Sequence, residues 1–290
     1  MAIEYRFLER DAETLITMSE LPVEEGRAVA VRTTGYEVGV DEVVQISIVD
    51  FQGNELFAQT VKPQNIDEWT NVEASGGILP ADVADAPELY QFEDEIIALF
   101  ADASVVVGQH MGFMHEIIES SWVSLPDCRE FDLTQEFCAS HCTADYPEQS
   151  AAVAALPGIA AYYGAPCDEE TCTGIARSVA ACYVKLVEEH AQARLDKGQE
   201  FWEEYERRQE EVRKEDAQAL EADRRKELRA LQVNAFLWLC AAAIFSNLAV
   251  QLYIRGTDFG FVAIVVAAAI FFLVRWVMSL SALYRQRRNR

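Results

Sequence analysis

The sequence predicts an α/β domain, a mixed sheet flanked by helices, followed by a long helical stalk and two membrane-spanning helices. Three observations carry this expectation. Strand-like segments in the first half are followed by alternating helical and strand segments, which is the order of a mixed sheet covered by helices. Residues 187–230 pair Glu with Arg or Lys at i,i+4 again and again, as a solvated helix does. Residues 231–280 then hold two long stretches almost free of charge.

The elements follow in order. Phe7, Leu8, Leu15 and Ile16 mark a short amphipathic piece within an N-terminal extension, 1–26. Arg27–Arg32 is an apolar run, and Glu42–Asp50 alternates with period two. Phe51-Gln52-Gly53-Asn54 is a hairpin turn from which Glu55–Lys62 pairs back, ending at Pro63. Pro80–Val83 and Ala86–Phe100 read as helical, Ser104–Gly108 as a buried strand and Met114–Trp122 as a helix. Ala152–Tyr163 and Thr171–Glu189 read as helices that close the domain at residue 186.

Charge divides the chain in the same places. The net charge is −24 overall, and it is −25 over residues 1–186, −4 over 187–230 and +5 over 231–290. An acidic domain is a poor partner for nucleic acid, because binding without sequence preference needs Lys and Arg to replace phosphate counterions. In the stalk, Glu203 with Arg207, Glu204 with Arg208, Glu210 with Lys214 and Glu221 with Arg225 are ordered favourably. Its apolar stripe, Phe201, Tyr205, Val212, Leu220, Leu228 and Leu231, is too irregular for more than a weak coiled-coil seam. Gly198 marks a break between the domain's last helix and the stalk.

Leu231–Ile254 is 24 residues without a charge, longer than the ~20 that cross a bilayer. The second span, 259–280, is interrupted by Arg275, and serves if Arg275 snorkels toward headgroups beside Trp276. A four-residue turn makes the two a hairpin. Arg224, Arg225, Lys226 and Arg229 precede it, and Arg285, Arg287, Arg288 and Arg290 follow in a basic tail, 281–290. The positive-inside rule therefore puts both flanks, and both termini, in the cytoplasm. The start of the chain has neither a basic region nor an apolar core, so no signal peptide is expected. Asn234, Asn247 and Gln251 supply amides within the first span for bonds across helices or between chains.

Seven cysteines at irregular spacing suit a reducing compartment better than a disulfide scaffold. Cys138, His141, Cys142, Cys167 and Cys172 raise a zinc site as an alternative to half-buried free thiols.

Four segments bear on function. They are VAVRTTGYEVGVDEVVQISIVDFQGNELFAQTVKP (29–63), GILPADVADAP (77–87), VVVGQHMGFMHEII (105–118) and ALPGIAAYYGAP followed by TGIARSVAACYVKL (173–186). In this order they resemble the motifs of the DEDD-type 3′-5′ exonuclease superfamily, the ribonuclease H-like domain of proofreading exonucleases and RNase T. The resemblance covers residues 27–186 and implies that fold.

In such enzymes four carboxylates hold two divalent metals that generate the attacking hydroxide and steady the leaving oxygen. Aligned to the family, the first-motif Asp and Glu positions are Ala30 and Arg32, the second-motif Asp is Met114 and the third-motif Asp is Ile175. The general-base His position falls at Glu170, and the His-Asn pair before the second motif is Gln109-His110. Hard Mg²⁺ or Mn²⁺ needs oxygen ligands, so the resemblance implies a fold without its metal site.

Other acids, Glu37, Asp41, Glu116, Asp132, Glu169 and Glu170, are the candidates for a rebuilt site, which alone would call for Mg²⁺ or Mn²⁺. Glu116 follows Met114 by two and points away on a helix. Glu169 and Glu170 suit the N-terminus of the next helix.

The expectation is a cytoplasmic interaction or ligand-sensing domain held at a membrane, with a protein partner or a second copy, and with no cofactor. Its cleft would offer Arg32, Gln109 and His110. Arg32 would hold a phosphate or carboxylate, or else a neighbouring acid in a salt bridge. The alternatives are an active metal-dependent exonuclease with non-standard ligands, and a purely structural protein that self-associates through stalk and hairpin.

Overall fold

In a computed structural model, residues 5–142, 155–255 and 259–288 are described. The chain divides into two compact units, Met1–Gln199 and Glu200–Arg290.

The first unit begins with α1, Ala12–Ser19, capped by Asp11, whose carboxylate accepts the Thr14 amide at 2.8 Å. Three strands follow, β1 (Arg27–Thr33), β2 (Val43–Asp50) and β3 (Glu55–Thr60). The β2–β3 hairpin turns at Gly53, which takes a φ of 82° that other residues avoid. Asp50 holds the turn by accepting the Gln52 and Asn54 amides. A short helix α2 (Val72–Ser75) and two 3₁₀ turns lead to α3, Glu93–Ala101. Next come β4 (Val106–Gly108), α4 (Met111–Ser120), β5 (Glu130–Asp132) and α5 (Leu133–His141). Helices α6 (Leu156–Tyr163) and α7 (Cys172–Asp196) complete the unit.

The sheet order is β3-β2-β1-β4-β5. The first three strands are antiparallel, and β4 and β5 run parallel to β1. Alternate residues of a strand face opposite sides, so each strand feeds two cores. Ala28 and Ala30 of β1 join Val107, Phe131 and the Ala176, Val179, Ala180 and Tyr183 face of α7. Val29 and Val106 face the other way, onto Ile96 and Phe100 of α3 and Met114, Ile117 and Ile118 of α4. The alanines of β1 are small where α7 lies across the sheet. The expected mixed sheet covered by helices is therefore what the domain has.

Several boundaries differ from the sequence reading. Ala86–Phe100 divides into a 3₁₀ turn, Leu89–Phe92, and α3. The stretch around residues 130–141 was read as neither strand nor helix, yet it forms β5 and α5. A three-residue strand is too short to show alternation, and only its pairing with β4 defines it. Residues 1–26, set apart as an extension, give Met18 and Leu21 to the core. Helix α7 runs on to Asp196, past the expected helix end at Glu189 and the expected domain end at 186. Residues 152–154 of the expected Ala152–Tyr163 helix lie outside the described residues.

Gly198, at a φ of 75°, separates α7 from α8 (Gly198–Ile254) in the chain. Within the second unit α8 carries Arg208–Glu204 at 2.8 Å, Arg225–Glu221 at 3.2 Å and Lys214–Glu210 at 3.6 Å. Arg207 pairs with Glu204, three residues before it. Helix α9 is Phe259–Arg288. Ala235, Ala242 and Ala249 are buried at seven-residue spacing on α8, and Val265 and Ala269 are buried on α9, small residues of the kind that let helices approach closely. Trp238 stacks on Phe272 with ring centroids 5.6 Å apart, and Phe245 lies 5.0 Å from the same ring.

Both helices hold segments long and apolar enough to cross a membrane, with only 17% and 6% of those segments buried. Ile244, Leu248, Ile264 and Ile270 are exposed, the reverse of a soluble core helix.

Candidate functional site

The motif positions converge. Ala30 lies on β1 beside Val29 and Val31, Gln109 and His110 form the turn from β4 into α4, Met114 is on α4, and Ile175 and Val179 are on α7. Together with Tyr36 and Phe113 they line one cavity of about 560 Å³. Its position follows from topology, since loops at the carboxyl ends of the parallel strands β1 and β4 open there.

His110 takes a left-handed backbone, φ 52° and ψ 52°, as the residue before α4. The helix start is fixed from outside, where Asp132 Oδ2 accepts the Met111 amide at 2.8 Å. Met114 is buried, and a Cβ placed on Gly108 would meet its Cε at 1.7 Å, so the thioether lies directly against the β4 backbone. Val29, Ala30, Val31, Phe113, Met114, Ile175 and Val179 make the walls apolar, and among the described residues that line the cavity none is a carboxylate.

Arg32 stands apart from this lining. Its guanidinium donates to the main-chain carbonyls of Gly76 at 3.0 Å, Glu169 at 2.9 Å and Glu170 at 2.7 Å. The sequence reading gave Arg32 a ligand anion or a salt bridge to an acid, and the geometry gives it three carbonyls instead. Arg32 ties the end of β1 to α2 and to the loop before α7. Glu170 is present as a carbonyl acceptor, and its exposed side chain is not part of the cavity lining. Gly76 makes the contact possible, because a Cβ there would lie 2.1 Å from Arg32 Nη1. Nearby, the buried Cys172 thiol donates to the Ala30 carbonyl at 3.2 Å, and burial, opposed by the Arg32 charge, pushes it up to about 12.

Of the acids proposed as replacement ligands, Asp41 and Asp132 have other partners. Asp41 accepts the Thr34 hydroxyl at 2.7 Å and the Glu37 amide at 2.9 Å, closing the 35–41 loop. Asp132 caps α5 through the Gln135 amide at 3.0 Å while holding α4 through Met111. Glu116 is exposed on α4, as its spacing from Met114 requires. Thr171 caps α7 by accepting the Gly174 amide, with the exposed Glu169 and Glu170 just before it. Among the described residues no group of three or more His, Cys, Asp or Glu side chains is placed to hold a metal. His141 has both ring nitrogens engaged, with the Phe137 carbonyl at 2.9 Å and Glu189 at 2.8 Å, so it is not open to zinc.

A second cavity of about 670 Å³ shares Tyr36 and runs between the 34–41 loop and Ile66, Glu68, Trp69, Thr70 and Asn71. Sequence reasoning missed it, because it is assembled by two loops without regular pattern. Its one local signal was the exposed apolar set of the 36–40 loop, Tyr36, Val38 and Val40.

No family model and no curated protein matches the chain. Among solved structures, a product-bound exonuclease I is similar at 16% identity and a TM-score of 0.45, over 60% of this chain and 46% of that one. An E. coli exonuclease I bound to single-stranded DNA, in a zinc-containing form, is similar at 19% identity and a TM-score of 0.43, over 59% of this chain and 42% of that one. The chain thus spans less than half the length of these structures.

Proposed function

We propose that the protein is a membrane-anchored binding module built on an exonuclease-like domain that has lost metal-dependent hydrolysis. The observation that carries this is the shared cavity, in which Ala30, Met114 and Ile175 meet with no carboxylate among the described lining residues. Two-metal hydrolysis needs several oxygen ligands converging on ions ~3.5–4 Å apart. Apolar walls with Gln109 and His110 at the rim suit capture of a small ligand or a peptide side chain. The net charge of −25 over residues 1–186 opposes a nucleic-acid backbone there and favours a protein or small-molecule partner. The two apolar helices form a two-pass anchor, and the basic residues on both flanks put the domain and both termini on the cytoplasmic side.

The test uses the full chain in detergent, with 3′-labelled single-stranded DNA and RNA in Mg²⁺ and in Mn²⁺. No release of label is expected. The comparison is A30D/R32E/M114D/I175D, which returns acidic residues to the four motif positions. EDTA-sensitive release by the unaltered chain, surviving repurification, overturns the reading. Release by the altered chain alone supports both the loss of ligands and the alignment.

A further inference from the structure

Arg275 is the only cation in the sequence between the hairpin turn and Arg285, and among the described residues no acid neutralises it. Residues 231–290 contain one acid, Asp258, 17 positions away in the sequence. Among the described residues no carboxylate lies within 4.0 Å of Arg275. Its guanidinium instead sits over Trp238, 5.4 Å from the ring centroid. Trp238 is held in turn by its stack on Phe272 at 5.6 Å. A cation over an indole face is attracted to the ring, and its in-plane N–H donors remain available for an anion.

Those donors face a notch of about 340 Å³ between the helices, lined by Leu231, Asn234, Trp238, Arg275, Met278 and Ser279. Ser279 donates its hydroxyl to the Arg275 carbonyl at 3.0 Å. The Asn234 amide makes no hydrogen bond among the described residues.

The depth of the notch follows from the hairpin. Trp238 is 16 residues before Ile254, and Arg275 is 16 residues after Phe259. Each is therefore ~24 Å from the turn at ~1.5 Å per residue. In a hydrocarbon core of ~30 Å this leaves about 6 Å to the opposite boundary, within reach of a snorkelling arginine.

We propose that this notch binds the phosphate of an anionic phospholipid from the cytoplasmic leaflet. Arg275 grips the phosphate through paired N–H donors, Trp238 fixes the guanidinium, Asn234 donates an amide, and Leu231 and Met278 flank the upper acyl chain. The inference rests on the membrane-spanning reading of the hairpin. A pre-oriented guanidinium distinguishes this site from the general attraction of the basic flanks.

The experiment reconstitutes the full chain in bilayers of equal phosphatidylglycerol and phosphatidylcholine, extracts it gently, and counts retained lipids by native mass spectrometry. The unaltered chain is expected to retain phosphatidylglycerol over phosphatidylcholine about fivefold more than R275Q does, the effect of one cation near an anionic surface. R275K falls between them, since an ammonium does not chelate in a plane. R287Q/R288Q lowers the ratio less than R275Q.

Retention in the bulk ratio by the unaltered chain, or an R275Q ratio equal to it, overturns the lipid site. So does a larger loss in R287Q/R288Q than in R275Q. Alkaline carbonate washing separates the two levels of the claim. A chain that washes off the membrane removes both the anchor and the site, whereas one that stays embedded without lipid preference removes only the site.

Discussion

Two regions of the same domain treat polar chemistry in opposite ways. In the cavity at the carboxyl ends of β1 and β4, where the resemblance calls for carboxylates, the walls are Ala30, Met114 and Ile175. Between α5, α6 and α7, where it calls for nothing, a carboxylate sits among aromatic rings. Glu189 accepts His141 Nε2 at 2.8 Å, the Tyr162 hydroxyl at 2.7 Å and the Tyr163 hydroxyl at 3.0 Å. His141 stacks on Phe137, and Phe7 packs edge-on against both His141 and the buried His190. Burial raises the Glu189 carboxyl, but the bonds from His141 and the tyrosines outweigh it and hold it below the usual range. The domain keeps a paired, well-satisfied carboxylate where it holds helices together, and among the described residues none in the lining of the cavity.

The largest effect should follow from breaking the satisfied cluster. Leucine at position 189 strands two phenols and an imidazole, and each unpaired buried group costs ~1–3 kcal/mol. E189L should therefore lower stability by about 3 kcal/mol or more in urea unfolding, while Y163F costs about 1 kcal/mol. The pH dependence has a definite sign. The folded-state value of Glu189 is depressed, so its contribution is complete above the ordinary 4.5 and is lost as pH falls through the folded value. The stability gap between the unaltered chain and E189Q should shrink below that pH. A constant gap would show that the carboxylate charge is not what the cluster uses.

Next in size is the opposite manipulation, placing charge in the cavity. A30D/M114D/I175D buries three like charges and should cost at least ~2–4 kcal/mol without metal, since unpaired buried carboxylates are poorly tolerated. If the three positions converge, Mn²⁺ at 100 times its dissociation constant should return about 2.7 kcal/mol. The unaltered chain should show no Mn²⁺-dependent shift in thermal unfolding. Equal shifts in both would mean that metal binds elsewhere.

The contrast also explains what the sequence made legible. The sheet was readable because β1 is a continuous apolar run, β2 alternates, and the β2–β3 hairpin is marked by Gly53 and Pro63. The cavity was readable in part, because the segments singled out in the sequence bring Ala30, Met114 and Ile175 to one lining. The Glu189 cluster was not readable. His141 and Glu189 are 48 positions apart, and no local period marks a pair that only the packing of α5 on α7 creates. Arg32 was misread for a related reason. A cation in a motif suggests an anion, whereas the carbonyls of Gly76, Glu169 and Glu170 are backbone acceptors that no residue type announces.

That arginine gives the third test. G76A should cost roughly 1–2 kcal/mol for the left-handed backbone alone, at a φ of 60°. It should also displace the guanidinium. R32A removes the same three bonds, so the double variant should lose less than the sum of the two singles. Additive losses would mean that Gly76 and Arg32 act separately.

The smallest expected effect lies at the surface, at His115 of α4. Its Nδ1 meets Glu130 Oε1, and its Nε2 lies 3.4 Å from Glu119. Burial works against its charge, yet the two carboxylates prevail and raise it above the ordinary 6.5. A raised folded-state value makes the sign opposite to that of Glu189. The stabilisation is complete below 6.5 and disappears as pH rises through the folded value. Partly exposed pairs contribute ~0.2–1 kcal/mol, so H115Q should be less stable than the unaltered chain at pH 5.5 by no more than that, and indistinguishable at pH 9. Salt should shrink the difference at pH 5.5, whereas added salt should barely change the E189L deficit, because screening reaches exposed pairs far more than buried ones. A salt-insensitive His115 would place it with the buried cluster and remove the distinction between surface and interior charge on which the comparison depends.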